Sequence, residues 1–160
     1  MNERFSFFER IVRKAGRFTE QRSEPTGGLH PFDERNIHPR LPSIVRDLFD
    51  DGHYAQSTFE AYKFIDKEIQ RLSRSSISGF KLMMQVFAVE TPIIKLTPLS
   101  NESEKNEQKG FQLIFAGSLL AIRNPRGHEY AVKDSPDICL DHLSLASLLL
   151  RRLEEAGFKN

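Results

Sequence analysis

The stretch Gln108–Tyr130, QKGFQLIFAGSLLAIRNPRGHEY, carries the strongest fold signal in the sequence. Its first half repeats apolar residues at steps of three and four, which is the spacing of one face of an α-helix. Those residues are Phe111, Phe115, Leu119 and Ile122. A proline disfavours helical backbone at the residue before it, so the helix is predicted to end near Asn124. Gly117 is unfavourable in mid-helix and is predicted to permit the close approach of another helix.

The second half of the stretch places polar side chains at the edge of the core. Arg123 is predicted on the last helical turn, and His128 follows five residues later, beyond a turn made by Pro125 and Gly127. A histidine can take the proton of an RNA 2′-hydroxyl or protonate the leaving 5′-oxygen. A guanidinium can hold the phosphate, and an amide such as Asn124 can orient either group. This arrangement suits RNA cleavage without a metal.

Spacing alone favours a plainer interpretation, in which Arg123 is a cation at a helix C-terminus and His128 is a turn residue. Arg46 and His53 form a similar pair seven residues apart, which shows how readily such spacings arise.

Periodic and capped segments elsewhere predict a mostly α fold, a bundle of five or six helices. The other predicted helices cover residues 3–18, 43–50, 53–73, 80–89 and 136–156. Residues 91–99 are predicted as a β-hairpin arm or a loop that covers the core, and residues 100–109 as a polar turn. The last helix is apolar on more than one stripe, which suggests burial on two sides, as in a dimer. The predicted organisation is an amphipathic helix at 1–18, a flexible linker at 19–36 and a helical domain at 37–160.

Composition excludes several classes of protein. With 160 residues and a formal charge of +1, the chain has no global field that indicates a nucleic-acid or membrane partner. It has no apolar run of roughly 20 residues and no secretory signal, so a cytoplasmic location is expected. A single cysteine, Cys139, excludes a disulfide framework and a cysteine zinc site. Without paired histidines, a glycine-rich phosphate loop or a nucleophile elbow, no metal or cofactor is predicted.

Arg123, Asn124 and His128 resemble the motif of the HEPN superfamily, whose ribonuclease members carry an arginine, a polar residue, three to five variable residues and a histidine. Beyond this motif, the chain resembles the Ymh-type family of bacterial and phage proteins over roughly residues 37–154. The segments that carry this second resemblance are Ile37-His38-Pro39, Phe49–Tyr54, Gly79–Met83, Gly110-Phe111, Ile122–Glu129 and Ala146–Leu153.

The resemblance implies an α-helical HEPN bundle, often a two-fold dimer that brings both motifs to one groove. It further implies a metal-independent endoribonuclease in a toxin, abortive-infection or other defence setting, with an antitoxin or defence protein as a partner. His128 would be the general acid/base, Arg123 would bind the phosphate and Asn124 would position them.

Three further residues are predicted to contact the substrate. Arg126 is an auxiliary phosphate contact, and His53 lines the same groove. His128-Glu129-Tyr130 resembles the His-x-Tyr extension of HEPN toxins paired with a nucleotidyltransferase antitoxin, in which the tyrosine is the modified residue, and Tyr130 is therefore included.

Two other functions stay open. One is a non-catalytic HEPN module that binds a partner protein or a nucleotide, with a structural Arg/His turn. The other is a DNA-binding regulator that uses Arg151, Arg152 and the basic N-terminal helix.

Overall fold

The computed structural model describes residues 28–129 and 132–158. The predicted helix at 3–18 and the first half of the predicted linker at 19–36 lie outside these residues. The chain divides into a unit of residues 1–30 and a unit of residues 31–160, and every helix below belongs to the second unit. Residues 31–36, predicted as the end of the linker, are part of that unit. Phe32 is buried there, with its ring centroid 5.2 Å from that of Phe49.

The unit from Pro31 onward is built from helices joined by loops. They are α1 (Pro31–Glu34), α2 (Ser43–Asp50), α3 (Tyr54–Ser73), α4 (Gly79–Val86), α5 (Glu102–Ser118), a π-helical segment (Leu119–Arg123), α6 (Asn124–His128) and α7 (Pro136–Glu155). No β-strand occurs in residues 28–129 or 132–158. The predicted mostly α bundle is therefore confirmed, and residues 91–99 form a loop rather than a hairpin arm.

Helix α3 lies at the centre of this unit. It packs against α2, α4, α6, α7 and the π-helical segment, and its residues Tyr62, Ile65 and Ile69 are fully buried. Between α4 and α5, the rings of Phe87 and Phe115 stack with centroids 4.5 Å apart. The core is thus organised around α3, with the π-helical segment and α6 packed on one of its sides.

The start of α5 corrects one prediction. Residues 100–109 are mostly helix, because Asn101 and Glu104 cap the chain at this point. The Asn101 side chain accepts from the Glu104 N–H at 2.9 Å, and the Glu104 carboxylate accepts from the Ser100 N–H at 2.7 Å. This reciprocal pairing satisfies donors that a helix N-terminus leaves unpaired. The polar character of the segment reflects an exposed helical face.

A buried glutamine explains why residues 91–99 form a covering loop. The Oε1 atom of Gln108 accepts from the Leu96 N–H at 2.7 Å, and its amide nitrogen donates to the carbonyls of Phe87 and Ile94. The loop therefore finds its hydrogen bonds on α5 instead of on a neighbouring strand. Ile94 and Leu96 of this loop are buried in the core.

Helix α7 begins where the sequence predicts, with the Ser135 hydroxyl accepting from the Ile138 N–H at 3.2 Å and Pro136 at the first position. It buries a broad face that includes Leu143, Leu149 and Leu150. Its opposite side leaves Ile138 and Leu148 exposed. In the described part of the chain, no helix is long and apolar enough to cross a bilayer.

Candidate functional site

The segment that carries Arg123, Asn124 and His128 is helical throughout, which corrects the predicted helix end near Asn124. The π-helical turn Leu119–Arg123 runs directly into α6, and Asn124 has helical backbone angles (φ −64°, ψ −44°). Pro125 lies in the first turn of α6, where a missing N–H costs little, and the wider π turn precedes it. The chain leaves the helix at Glu129 (φ −96°, ψ 137°).

Helical geometry divides this segment into two sides. Residues four apart share a face, so Asn124 and His128 lie together on what we call the outer side of the segment. Arg123 joins them, because its Nη1 donates to Oδ1 of Asn124 at 3.2 Å. Ile122 and Arg126 lie on the inner side, toward the rest of the protein. His128 is exposed.

Phe59 of α3 supports the outer side. The Arg123 guanidinium lies 5.4 Å from the centre of the Phe59 ring, within the range of a cation–π contact. The Nε atom of Arg123 is buried and has no hydrogen-bond partner among residues 28–129 and 132–158. The Phe59 ring and the Asn124 amide thus fix the position of the Arg123 guanidinium, while its buried Nε–H has no acceptor in the described part of the chain.

The close approach predicted for Gly117 occurs at Gly127. A Cβ added to Gly127 would lie 2.7 Å from Cε2 of Phe59, whereas one added to Gly117 would meet nothing within 4 Å. Real Cβ atoms do not approach other atoms so closely, so the Phe59 ring occupies space that only a glycine leaves free.

The inner side is occupied by Arg126. Its side chain is 9% exposed and its Nε and Nη2 each donate to the Asp134 carboxylate at 2.7 Å. Its Nη1 donates to the Ile122 carbonyl at 2.7 Å, and its Nη2 also contacts Nδ1 of His142 at 3.3 Å. Four of the five guanidinium N–H groups are therefore engaged within the protein. This geometry favours a structural role for Arg126 over the predicted contact with phosphate.

His142 is neutral in this setting. Because arginine can only donate, Nδ1 of His142 must accept, which places the ring proton on Nε2. Burial, and then the charge of Arg126, lower the pKa of His142, while Asp134 and Asp141 raise it less.

Two other titratable groups lie close to this cluster. The hydroxyl of Tyr62 donates to the His142 carbonyl at 2.8 Å, and burial raises the pKa of Tyr62. Burial also raises the pKa of the Cys139 thiol, whose sulfur accepts from the Thr58 hydroxyl at 3.4 Å. Both groups stay protonated near neutral pH and are not activated nucleophiles.

Two predicted residues lie away from the motif or beyond the described chain. His53 precedes α3 and lines a pocket of about 460 Å³ with Gln56, Lys133 and Asp134. Tyr130 lies outside the described residues. Within residues 28–129 and 132–158, no group of three or more His, Cys, Asp and Glu could hold a metal ion.

The sequence alone did not predict Phe59, Asp134 or His142. Phe59 is 68 positions before Gly127, so no local pattern links them. Asp134 follows the motif closely, but its pairing with Arg126 depends on the path of a loop that composition does not determine.

Fold and site together define an all-α bundle that carries an arginine, an asparagine and a histidine on one exposed helical segment. A family model described as Protein of unknown function (Hypoth_ymh) matches residues 35–153. The chain belongs to this family, and the Ymh-type resemblance is confirmed. No curated protein and no solved structure matches the chain.

Proposed function

We propose that the protein is a metal-independent endoribonuclease of the HEPN type. The RNA 2′-hydroxyl attacks the adjacent phosphorus as a base takes its proton; the P–O5′ bond breaks and the leaving 5′-oxygen takes up a proton. The products are a 2′,3′-cyclic phosphate and a 5′-hydroxyl. His128 is the proton-transfer group, Arg123 binds the phosphate, and Asn124 positions the guanidinium.

One observation carries this proposal: an exposed His128 lies one helical turn from Asn124, whose amide oxygen holds Arg123. A substrate can reach the histidine, and the Asn124 amide orients the guanidinium. Arg126 has no direct part, because Asp134 neutralises its charge.

The proposed enzyme acts as a homodimer in which two motifs share one groove. Cleavage needs both a base and an acid, and two copies supply two histidines. The surface of α5 and the π-helical segment leading to the motif supports this arrangement, because Leu113, Ile114 and Leu120 are between 41% and 53% exposed. A Cβ at Gly117, between them, meets nothing within 4 Å. Apolar surface of this kind is characteristic of contacts between protein chains.

The exposure of His128 favours the enzyme over the non-catalytic module, for which a buried and fully bonded histidine is expected. The DNA-binding alternative is weakened by the contacts of its two arginines. Arg152 is paired with Glu107 and Glu155, and Arg151 donates to the Asn36 carbonyl. The basic N-terminal helix of that alternative lies outside the described residues.

The biological setting follows from the HEPN resemblance and is part of the proposal. The protein would be a cytoplasmic toxin or antiphage-defence effector, held in check or triggered by an antitoxin or a defence partner.

The test is a cleavage assay on end-labelled structured RNA in excess EDTA. Replacing His128 by Ala should lower the cleavage rate by about 10²- to 10⁴-fold, the usual contribution of general acid–base catalysis. His30→Ala, which changes a histidine outside the family match, is the matched control and should cleave normally. Equal cleavage by His128→Ala and wild type would exclude this site.

A further inference from the structure

A pocket of about 360 Å³ lies between α3 and the motif helix. We call it the α3–α6 pocket. Phe59, Gln56 and Glu60 line it from α3, and Arg126, Gly127 and Glu129 line it from the motif side. The volume suits one planar ring system, and the Phe59 ring offers an apolar wall of the kind on which nucleobases stack.

The charges of this pocket disfavour a phosphate as its occupant. Its one cationic residue, Arg126, is paired with Asp134 through two bonds of 2.7 Å. Two carboxylates remain as acceptors, together with the Gln56 amide. They are Glu129 and Glu60, and each oxygen of Glu60 also accepts from Lys63, at 3.0 and 3.1 Å, which leaves a lone pair on each. Carboxylates only accept hydrogen bonds and repel anions, so the pocket selects an uncharged group that presents N–H donors.

Nucleobases differ in how well they meet this requirement. Guanine presents N1–H and the N2 amino group side by side on its Watson–Crick edge, which matches the two oxygens of a carboxylate. Adenine and cytosine present one amino group next to an acceptor. Uracil presents a single N–H between two carbonyl oxygens, which a carboxylate repels. Guanine is therefore the best match.

We propose that the α3–α6 pocket binds a guanine base of the RNA next to the scissile phosphate, an inference that rests on the proposed ribonuclease function. Gly127, in the pocket wall, is the residue before His128. Phe59, whose ring packs against Gly127, also lies 5.4 Å from the Arg123 guanidinium. A base held here contacts the residue that precedes His128, the proposed proton-transfer group. It also contacts the ring that supports Arg123, the proposed phosphate-binding group.

A second pocket gives the RNA chain a continuous path. The pocket beside His53 shares Ala55, Gln56 and Val132 with the α3–α6 pocket. It also contains Lys133, a cation suited to a neighbouring phosphate. The predicted substrate contact of His53 thus falls at the next nucleotide, away from the cleaved bond.

Binding of mononucleotides tests the pocket without any cleavage. Guanosine 5′-monophosphate is titrated into the full-length protein against uridine 5′-monophosphate, followed by amide NMR shifts. Guanosine monophosphate should bind at least about tenfold more tightly, and Glu60→Gln and Glu129→Gln should each reduce this preference. Equal binding of the two nucleotides, no binding, or an unchanged preference in both variants overturns the proposal.

Glu102→Gln is the matched control. Glu102 pairs with Lys105 at 2.7 Å across one helical turn of α5, as Glu60 pairs with Lys63 at 3.0 Å on α3. This variant should keep the full preference for guanosine monophosphate, so a loss shared by Glu102→Gln would identify a general charge effect and overturn the pocket assignment.

A cleavage panel separates this inference from the proposed function. The RNAs differ only by G, A, C or U beside one cleaved bond, and the guanine RNA should be cut fastest. Cleavage without base preference that Glu60→Gln leaves unchanged overturns the pocket and leaves the ribonuclease intact. Selective guanosine monophosphate binding without any cleavage supports the pocket and counts against the ribonuclease.

Discussion

Arg123 and Arg126 are three residues apart on one helical segment, yet their surroundings are opposite. Arg126 on the inner side is 9% exposed and bonded to a carboxylate, a carbonyl and an imidazole. Arg123 on the outer side rests on an aromatic ring and bonds one amide. One short helical segment thus fixes its position with one face and carries exposed polar groups on the other.

Breaking the inner side should have the largest effect on stability. Arg126→Ala leaves the Asp134 carboxylate, itself 5% exposed, without its partner. The free energy of unfolding should fall by about 3–5 kcal/mol, the usual result of removing one member of a buried ion pair. Chemical denaturation followed by circular dichroism measures this change.

An exposed pair provides the control for that measurement. Arg35 and Asp141 also form an Arg–Asp bridge of 3.0 Å, but their side chains are 46% and 69% exposed. Arg35→Ala should therefore change the free energy of unfolding by less than about 1 kcal/mol. Similar losses in the two variants would contradict the assignment of Arg126 to the inner, structural side.

A substitution on the outer side should lower the cleavage rate rather than the stability. Arg123→Ala removes the proposed donor to the phosphate and should lower the cleavage rate by about 10²- to 10³-fold. Its free energy of unfolding should change by about 1 kcal/mol or less, because the lost contacts are one ring and one amide. A variant that unfolds like Arg126→Ala would show that both arginines are structural.

The contact between Gly127 and Phe59 can be tested with a single methyl group. Gly127→Ala forces the Phe59 ring to move and should lower the free energy of unfolding by about 1–3 kcal/mol. Gly110→Ala, on α5, has open space around the new Cβ and should raise it by about 0.5–1 kcal/mol through helix propensity. Thermal melting of the two variants measures the difference, and shifts in the same direction would contradict the close packing.

The smallest expected effect is a pH dependence at His142. Because its pKa is lower in the folded chain, His142 takes up its proton more readily once the chain unfolds. The free energy of unfolding should therefore fall as the pH drops below about 6.5, the ordinary histidine pKa, toward the folded-state pKa.

Denaturation at several pH values checks this sign. His142→Asn keeps an acceptor near Arg126 without a titrating group, and its stability should fall less than that of the wild type on acidification. The two proteins differ only at this residue, so the difference between their profiles isolates His142. Identical pH profiles would show that His142 makes no contribution.

The helices of this fold were largely predictable from local signals. Helix α2 was predicted with its observed bounds, and α7 begins with the predicted Ser135 cap. Asn101 and Glu104 also form a local capping signal for the start of α5. The polar composition of residues 100–109 predicts a turn instead, which is wrong. Periodicity and caps act over a few residues, which is why they suffice for these elements.

The geometry of the site was predictable only in part. Arg123, Asn124 and His128 were selected from their chemistry, and they do lie on one segment. Pro125 predicts that the helix ends near Asn124, but the π turn before Pro125 is followed directly by α6. The opposite roles of the two arginines depend on Phe59 and Asp134, partners that the tertiary fold supplies and no local pattern encodes.

In the proposed reaction, the residues of the outer side promote attack by the 2′-hydroxyl of the RNA substrate on its own phosphate. The most direct measurement incubates the protein, in excess EDTA, with a structured RNA and with the same sequence methylated at every 2′-oxygen. The unmodified RNA should be cut to 2′,3′-cyclic phosphate ends while the methylated copy stays intact. Cleavage of both, or of neither, would contradict it.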